Sequence, residues 1–268
     1  MSAAEMRKIL VFTDLHYTAA GELIGHLDPD ERFREGLAHA LDQFPEAERI
    51  VIAGDLAHHG LPKEYARLAA ALDGCPLPVH LMLGNHDARK PFCDAFAHTP
   101  LTPEGHVQQV IDTGDTRLIL LDTVDEGRHA GILCDARLAW LDAALAGAQG
   151  RRTVVFAHHP PMPVGFAAMD AIGLSNRAEF LALLKARAST CQIVSGHLHR
   201  TVSGAAGGIA ASVIKSTCHQ SPMMQPGMDV HSSVDEPGAY GILYLGDEGV
   251  VMHSEDFGIP GRRPLTYR

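Results

Sequence analysis

No stretch of the chain approaches the roughly 20 consecutive apolar residues that a membrane span requires. The first charged residues, Glu5, Arg7 and Lys8, precede only a short apolar run from Ile9 to Phe12. Nothing there reads as a signal peptide or a membrane anchor, and the cytoplasm is the expected compartment. Cysteine is scarce: Cys75, Cys93, Cys134, Cys191 and Cys218 are odd in number and have no paired spacing. A disulfide framework and a thiolate zinc cluster are both excluded as organising devices. Basic residues are outnumbered, 22 Lys and Arg against 32 Asp and Glu, for a formal net charge of −10. Such a surface argues against a nucleic-acid polymer held through many phosphate contacts and leaves a small ligand as the expected partner. There is no G-x-x-x-x-G-K-[ST] loop and no G-x-S-x-G elbow, so a P-loop NTPase and an elbow-type serine hydrolase have no support.

No internal repeat, low-complexity tract or linker interrupts the 268 residues, and their 46% hydrophobic content fits one packed domain over 1–268. Residues 8–13, 49–53 and 78–83 are short apolar runs that read as buried strands. Helical spacing fills the gaps between them. Phe33, Leu37, Ala40, Leu41 and Phe44 mark one helix over 30–43, and Tyr65, Leu68 and Leu72 mark another over 63–72. A β-α-β-α-β order predicts a parallel sheet. Further along, strands are expected at 107–111, 116–121, 152–157 and 190–195, with helices at 135–146 and 175–187. After residue 201 only strand-like stretches remain, at 208–214, 239–245 and 249–253. A long Pro- and Met-containing loop, 221–238, separates two of them, and connections of that length are often functional.

What is abundant is histidine, 17 residues, and its placement is informative. Asp14-Leu15-His16 follows the first strand, Gly54-Asp55 the second and Gly84-Asn85-His86-Asp87 the third. In open α/β sheets ligands bind outside the carboxyl ends of the strands. One Asp after a strand is usually a helix cap; three consecutive strands delivering metal-competent groups to one rim are not explained that way. His158-His159-Pro160-Pro161 and Gly196-His197-Leu198-His199 also stand at strand exits, and residues two apart in an extended segment project to the same face. Gly54, Gly84 and Gly196 each precede a candidate ligand, where a missing side chain lets the backbone approach an ion. Asp14, His16, Asp55, Asn85, His158, His197 and His199 are seven donors, too many for one tetrahedral ion. They suit two ions about 3.5–4 Å apart, with a carboxylate between them. Nitrogen and oxygen donors without thiolate favour manganese, iron or zinc over copper.

The ordered set D-x-H, G-D, G-N-H-D, H-H and G-H-x-H, from Asp14 to His199, resembles the calcineurin-like metallophosphoesterases. The resemblance implies an α/β fold, a four-layer αββα sandwich of two mixed sheets between helices. It implies one ion on Asp14, His16, Asp55 and His199 and a second on Asp55, Asn85, His158 and His197, with Asp55 bridging and His159 in support. His86 is then the candidate catalytic residue, holding a phosphate oxygen or protonating the leaving group, and Asn85, His86 and His219 are candidate substrate contacts. His58, His59, Asp87 and His129 are expected in supporting or surface positions. The HHPP segment with Met169-Asp170, and Ser216-Thr217-Cys218-His219-Gln220, resemble the bacterial class III cyclic-nucleotide phosphodiesterase and glycerophosphodiesterase branch. That branch implies hydrolysis of small phosphodiesters by a metal-bound hydroxide. Cyclic nucleotides such as cAMP and glycerophosphodiesters both remain open as substrates, and a non-catalytic metal-binding scaffold is the alternative of another class. A homo-oligomer is expected, with 221–238 as its contact or as a lid.

Overall fold

The computed structural model describes residues 6–187, 189–223 and 232–262. In chain order the elements are β1 (Arg7–Phe12), α1 (Pro29–Gln43), β2 (Arg49–Ala53), α2 (Pro62–Leu72), β3 (Val79–Met82), α3 (Arg89–Ala95), β4 (Gln109–Thr113) and β5 (Thr116–Leu121). They continue with α4 (Asp135–Ala146), β6 (Arg152–Ala157), α5 (Ala167–Asp170), α6 (Arg177–Arg187), β7 (Thr190–Ser195), β8 (Val202–Ala206), β9 (Ile209–Val213), β10 (Ala239–Gly246) and β11 (Gly249–Asp256). Among the described residues these strands form two mixed sheets, β11-β10-β1-β2-β3 and β4-β5-β6-β7-β9-β8. As the sequence predicts, β1, β2 and β3 run parallel. The late strand β10 joins them antiparallel to β1.

Residue alternation builds the layers. On β1, Leu10 and Phe12 belong to a core with Phe33 and Leu37 of α1 and Tyr65 and Leu68 of α2. Ile9 and Val11 face the other way, into a core with Leu118, Leu120, Val154, Phe156 and Val194 of the second sheet. Outward faces of that sheet, Ile119, Val155 and Ile193, pack with Leu141 of α4 and Phe180 and Leu184 of α6. A strand buried on both faces needs apolar residues throughout, which is why β1 reads as a continuous run rather than an alternation. The result is the expected order of helix, sheet, sheet, helix.

Helix starts follow from local chemistry. Asp28 caps α1 by accepting from the Asp30 N–H at 2.9 Å, with Pro29 in the first turn. At α2, Glu64 reaches back to accept from the Leu61 N–H at 2.9 Å. Three elements go beyond the sequence expectation: α3, α5 and the edge strand β8. No helix of the described residues is long and apolar enough to cross a membrane.

Candidate metal centre

The exits of β1, β2, β3, β6 and β7 converge, and hydrogen bonds between the exit loops continue the sheets beyond their last ladder pairs. The Asp14 N–H donates to the Gly54 carbonyl at 3.0 Å, His16 N–H to the Asp55 carbonyl at 2.9 Å, and Gly196 N–H to the His158 carbonyl at 3.1 Å. Asp14, His16, Asp55, His197 and His199 all adopt left-handed backbone, with φ of 52°, 51°, 49°, 72° and 49°. Non-glycine residues rarely occupy that region, and holding them there costs roughly 1–3 kcal/mol each. A Cβ at Gly84 would run into the Asp55 carboxylate and the His158 ring, and one at Gly196 into Thr13 and Asp14. Those two glycines are therefore required for close approach.

Of the clusters of closely spaced ligand atoms among the described residues, two are built only from the metal ligands expected from the sequence. One is Asp14, His16, Asp55 and His199; the other is Asp55, His158 and His197, and within each set the donor atoms lie within 4.8 Å of one another. His16 Nε2 is 2.9 Å from His199 Nε2 and 3.7 Å from the Asp55 carboxylate. His158 Nε2 stands 3.4 Å from Asp55 and 3.9 Å from Asp14. Asp55 is the member common to both. Several rings are fixed in tautomer by backbone: His158 Nδ1–H donates to the Ala53 carbonyl at 2.8 Å and His199 Nδ1–H to the His219 carbonyl at 2.9 Å. Each is thereby left with Nε2 toward the centre.

The residues fit a bound cation on an observation internal to this structure. His158 Nε2, His197 Nε2 and the Asn85 side-chain oxygen are buried without a hydrogen-bond partner among the described residues. Unpaired buried polar atoms cost about 1–3 kcal/mol each, so three gathered at one place call for a shared partner. Charge balance agrees. Burial resists charging His158, but Asp55 and Asp14 outweigh it and push its pKa up to about 9. Burial holds His16 well below its ordinary value, helped by His86 and His199. Burial does the same for His197, helped by His159 and His158, so both rings are neutral donors.

Residues singled out from sequence take distinct places. His159 is not free to bind: its Nδ1 meets the Thr123 hydroxyl at 2.7 Å and its Nε2–H donates to the His129 carbonyl at 3.0 Å. His86 donates its backbone N–H to Asp55 at 2.9 Å and its Nδ1–H to the His58 carbonyl at 2.8 Å. His129 is beside Asn85, 3.3 Å between Nδ1 and Nδ2. His219 packs its ring 4.4 Å from that of His199, with Nδ1 buried and unpaired among the described residues. Asp87 is buried and accepts from the Leu56, Ala57 and Gly84 N–H groups and the Tyr65 hydroxyl, at 2.9 to 3.1 Å. Its bracing of both the β2 and β3 exits is a role that adjacency to Asn85 and His86 in the sequence did not reveal. His58 lies deeper in the site than its neighbours in sequence suggest, with Nδ1 3.2 Å from His16 Nδ1. His59 is half-exposed and pairs with Glu64 at 2.9 Å, away from the other histidines' common focus. A cavity of about 560 Å³ opens on this group, walled in part by Ile24, Ala168, Met169 and Ile172.

Comparison with known proteins agrees with this picture. The calcineurin-like phosphoesterase family profile matches residues 7–201. The chain is 35% identical over 254 residues to the protein named "probable cyclic nucleotide phosphodiesterase" of Rhodopseudomonas palustris, covering 93% of this chain and 92% of that one. It is 31% identical over 218 residues to a glycerophosphodiester phosphodiesterase of Enterobacter lignolyticus, covering 78% and 77%. Among solved structures, a dimetal phosphatase from Danio rerio superposes with a TM-score of 0.72 at 16% identity, over 93% of this chain and 96% of that one, a likeness of fold. The chain belongs to the calcineurin-like phosphoesterases. Within them it falls in the branch of these phosphodiesterases, and it is a metal-dependent hydrolase of the phosphodiesterase type.

Proposed function

We propose that the protein hydrolyses small phosphodiesters, with 3′,5′-cyclic nucleotides as the substrate class. Two divalent transition-metal ions, manganese, iron or zinc, would be held by Asp14, His16, Asp55 and His199 and by Asp55, Asn85, His158 and His197. The observation that carries this reading is the pair of donor sets sharing Asp55 on the floor of a cavity with a partly apolar wall. When bound, such a pair of ions supplies a charge sink for the phosphate and acidifies a water for attack on phosphorus.

The chain's own residues do the rest. Asp55 fixes the separation of the two donor sets. His86, with Nδ1–H committed to the His58 carbonyl, has Nε2 left for the cavity that its ring lines. From there it hands a proton to the ester oxygen as the phosphorus–oxygen bond breaks, or holds a phosphate oxygen. Asn85 and His219 line the same cavity and contact the substrate. Ile24, Ala168, Met169 and Ile172 offer an apolar surface to a flat base, which a glycerol headgroup would not use. The relative from Enterobacter lignolyticus keeps glycerophosphodiesters as the second reading.

A turnover panel on metal-loaded protein tests the assignment: cyclic AMP, glycerophosphoethanolamine, a bis-aryl phosphate and an aryl monoester. Cleavage of cyclic AMP and the bis-aryl diester ahead of the other two is the expected result. A preference for glycerophosphoethanolamine transfers the substrate reading to the second class. No turnover of any diester overturns the function.

A further inference from the structure

We infer that His58 is a positioning residue for His16, accepting the Nδ1 proton of that ring and so aiming its Nε2 at the metal centre; this rests on the metal-site reading above. The two Nδ1 atoms are 3.2 Å apart, with ring centroids 5.2 Å apart and planes at 69°. His16 Nε2 faces His199 and Asp55. An imidazole that gives its Nε2 lone pair to a cation carries its remaining proton on Nδ1, so whatever faces Nδ1 must accept. For His158 and His199 that acceptor is a backbone carbonyl. For His16 it is a side chain, and side chains can be changed without disturbing the backbone.

Acceptance at Nδ1 places the proton of His58 on Nε2, in the cavity its ring lines. The residue itself is well anchored: its N–H donates to the Tyr17 carbonyl at 2.9 Å, and its ring stacks on His86 at 5.5 Å with 21° between planes. Its carbonyl meanwhile fixes His86 through the 2.8 Å bond from Nδ1–H. One residue therefore serves the ligand His16 with its side chain and His86 with its backbone, and substitution separates the two services. A variant without a side-chain acceptor frees His16 to turn while the bond to His86 persists.

The geometry supplies two matched variants. In His58→Asn the amide oxygen occupies nearly the place of Nδ1 and still accepts. In His58→Phe the ring that stacks on His86 is kept and the acceptor is lost. Full-length protein loaded with Mn²⁺ is titrated with a competing chelator, retained ion is measured by elemental analysis, and turnover of a bis-aryl phosphate is followed in parallel. His58→Phe is expected to weaken retention of one of two ions by about 10–100-fold, the usual effect of losing a ligand's supporting hydrogen bond. His58→Asn is expected to stay within about threefold of the unmodified protein on the same scale. Should the phenylalanine variant fail to fold, His58→Leu makes the same comparison. Unchanged retention in the acceptor-less variants overturns the inference, as does an asparagine variant as weak as phenylalanine, which would make the role one of packing. Unmodified protein that retains no Mn²⁺ and cleaves no diester instead removes the metal-site reading itself.

Discussion

The His86 N–H donates to the Asp55 carboxylate, but the two residues are proposed for different duties, and the difference is measurable. His86→Ala should lower kcat by about 10²–10⁴-fold, the range for a lost general acid, while metal content stays at the unmodified level. The deficit should shrink for aryl leaving groups, which depart with little protonation. Elemental analysis showing metal lost along with activity would make His86 a structural residue. His158 offers a second test. With its pKa pushed up to about 9 by Asp55 and Asp14, it is protonated in metal-free protein at pH 7. Donation of Nε2 to a cation displaces that proton, so loading at pH 7 should release about one proton from this ring, and fewer as the pH is raised through 9. Calorimetry in buffers of different ionisation enthalpy, repeated on His158→Gln, measures that proton. The same shift carries stability with a definite sign: a raised histidine pKa stabilises metal-free protein fully below pH 6.5, and the contribution fades as pH rises through about 9.

Among the elements, the strand exits carry the site, and they were the most legible part of the sequence. Apolar runs ending in Asp14, Asp55 and Asn85 announced three parallel strands and the side of the sheet on which to look. Less was legible where the local signal is weak. The helix α3 is seven residues long with Pro91 in its first turn, and α5 is only four residues, too short to show a period. The edge strand β8 reads Val-Ser-Gly-Ala-Ala, poor in β-branched and aromatic residues, and is held by pairing with β9. The placement of His58 and Asp87 was hidden for another reason: nearness to a candidate ligand in sequence says nothing of which way a ring or carboxylate points. Gly84 was legible as a close approach, and its test belongs at this scale. Gly84→Ala sets a methyl against Asp55 and His158, so metal retention should fall at least tenfold with the secondary structure kept. Elemental analysis and circular dichroism on the same sample decide it; retention like that of the unmodified protein would show that the exit loop yields.

For the whole molecule, the decisive point is that the candidate donors come from both sheets. Asp14, His16, Asp55 and Asn85 follow strands of the five-stranded sheet, and His158, His197 and His199 follow strands of the six-stranded one. Layer order itself was not readable from periodicity; it came from the resemblance carried by the motifs. An ion that binds only when both sheets are in place stabilises the native state by mass action, about 2.7 kcal/mol when free ion exceeds Kd by 100-fold. For a chain of this size that is roughly 5–10 °C in Tm. Differential scanning of chelated and reloaded protein should show a shift of that order, and equal Tm values would mean that the ions clasp nothing. Assembly is a separate proposal. The expected contact or lid loop 221–238 has residues 224–231 outside the described residues. At its near end Met223 is exposed. Light scattering should give the mass of two or more chains, and less after deletion of 223–235; a monomer before deletion rejects the interface.

The left-handed backbone at Asp14, His16, Asp55, His197 and His199 sets selection for durability against selection for turnover. Glycine would relieve the conformational cost at each of these positions and remove a proposed metal ligand in the same stroke. A laboratory population of variants sorted for heat resistance alone has an incentive to dismantle the catalyst from its centre. Any effort to harden this enzyme must therefore be scored on the reaction at every round, with these five codons held fixed.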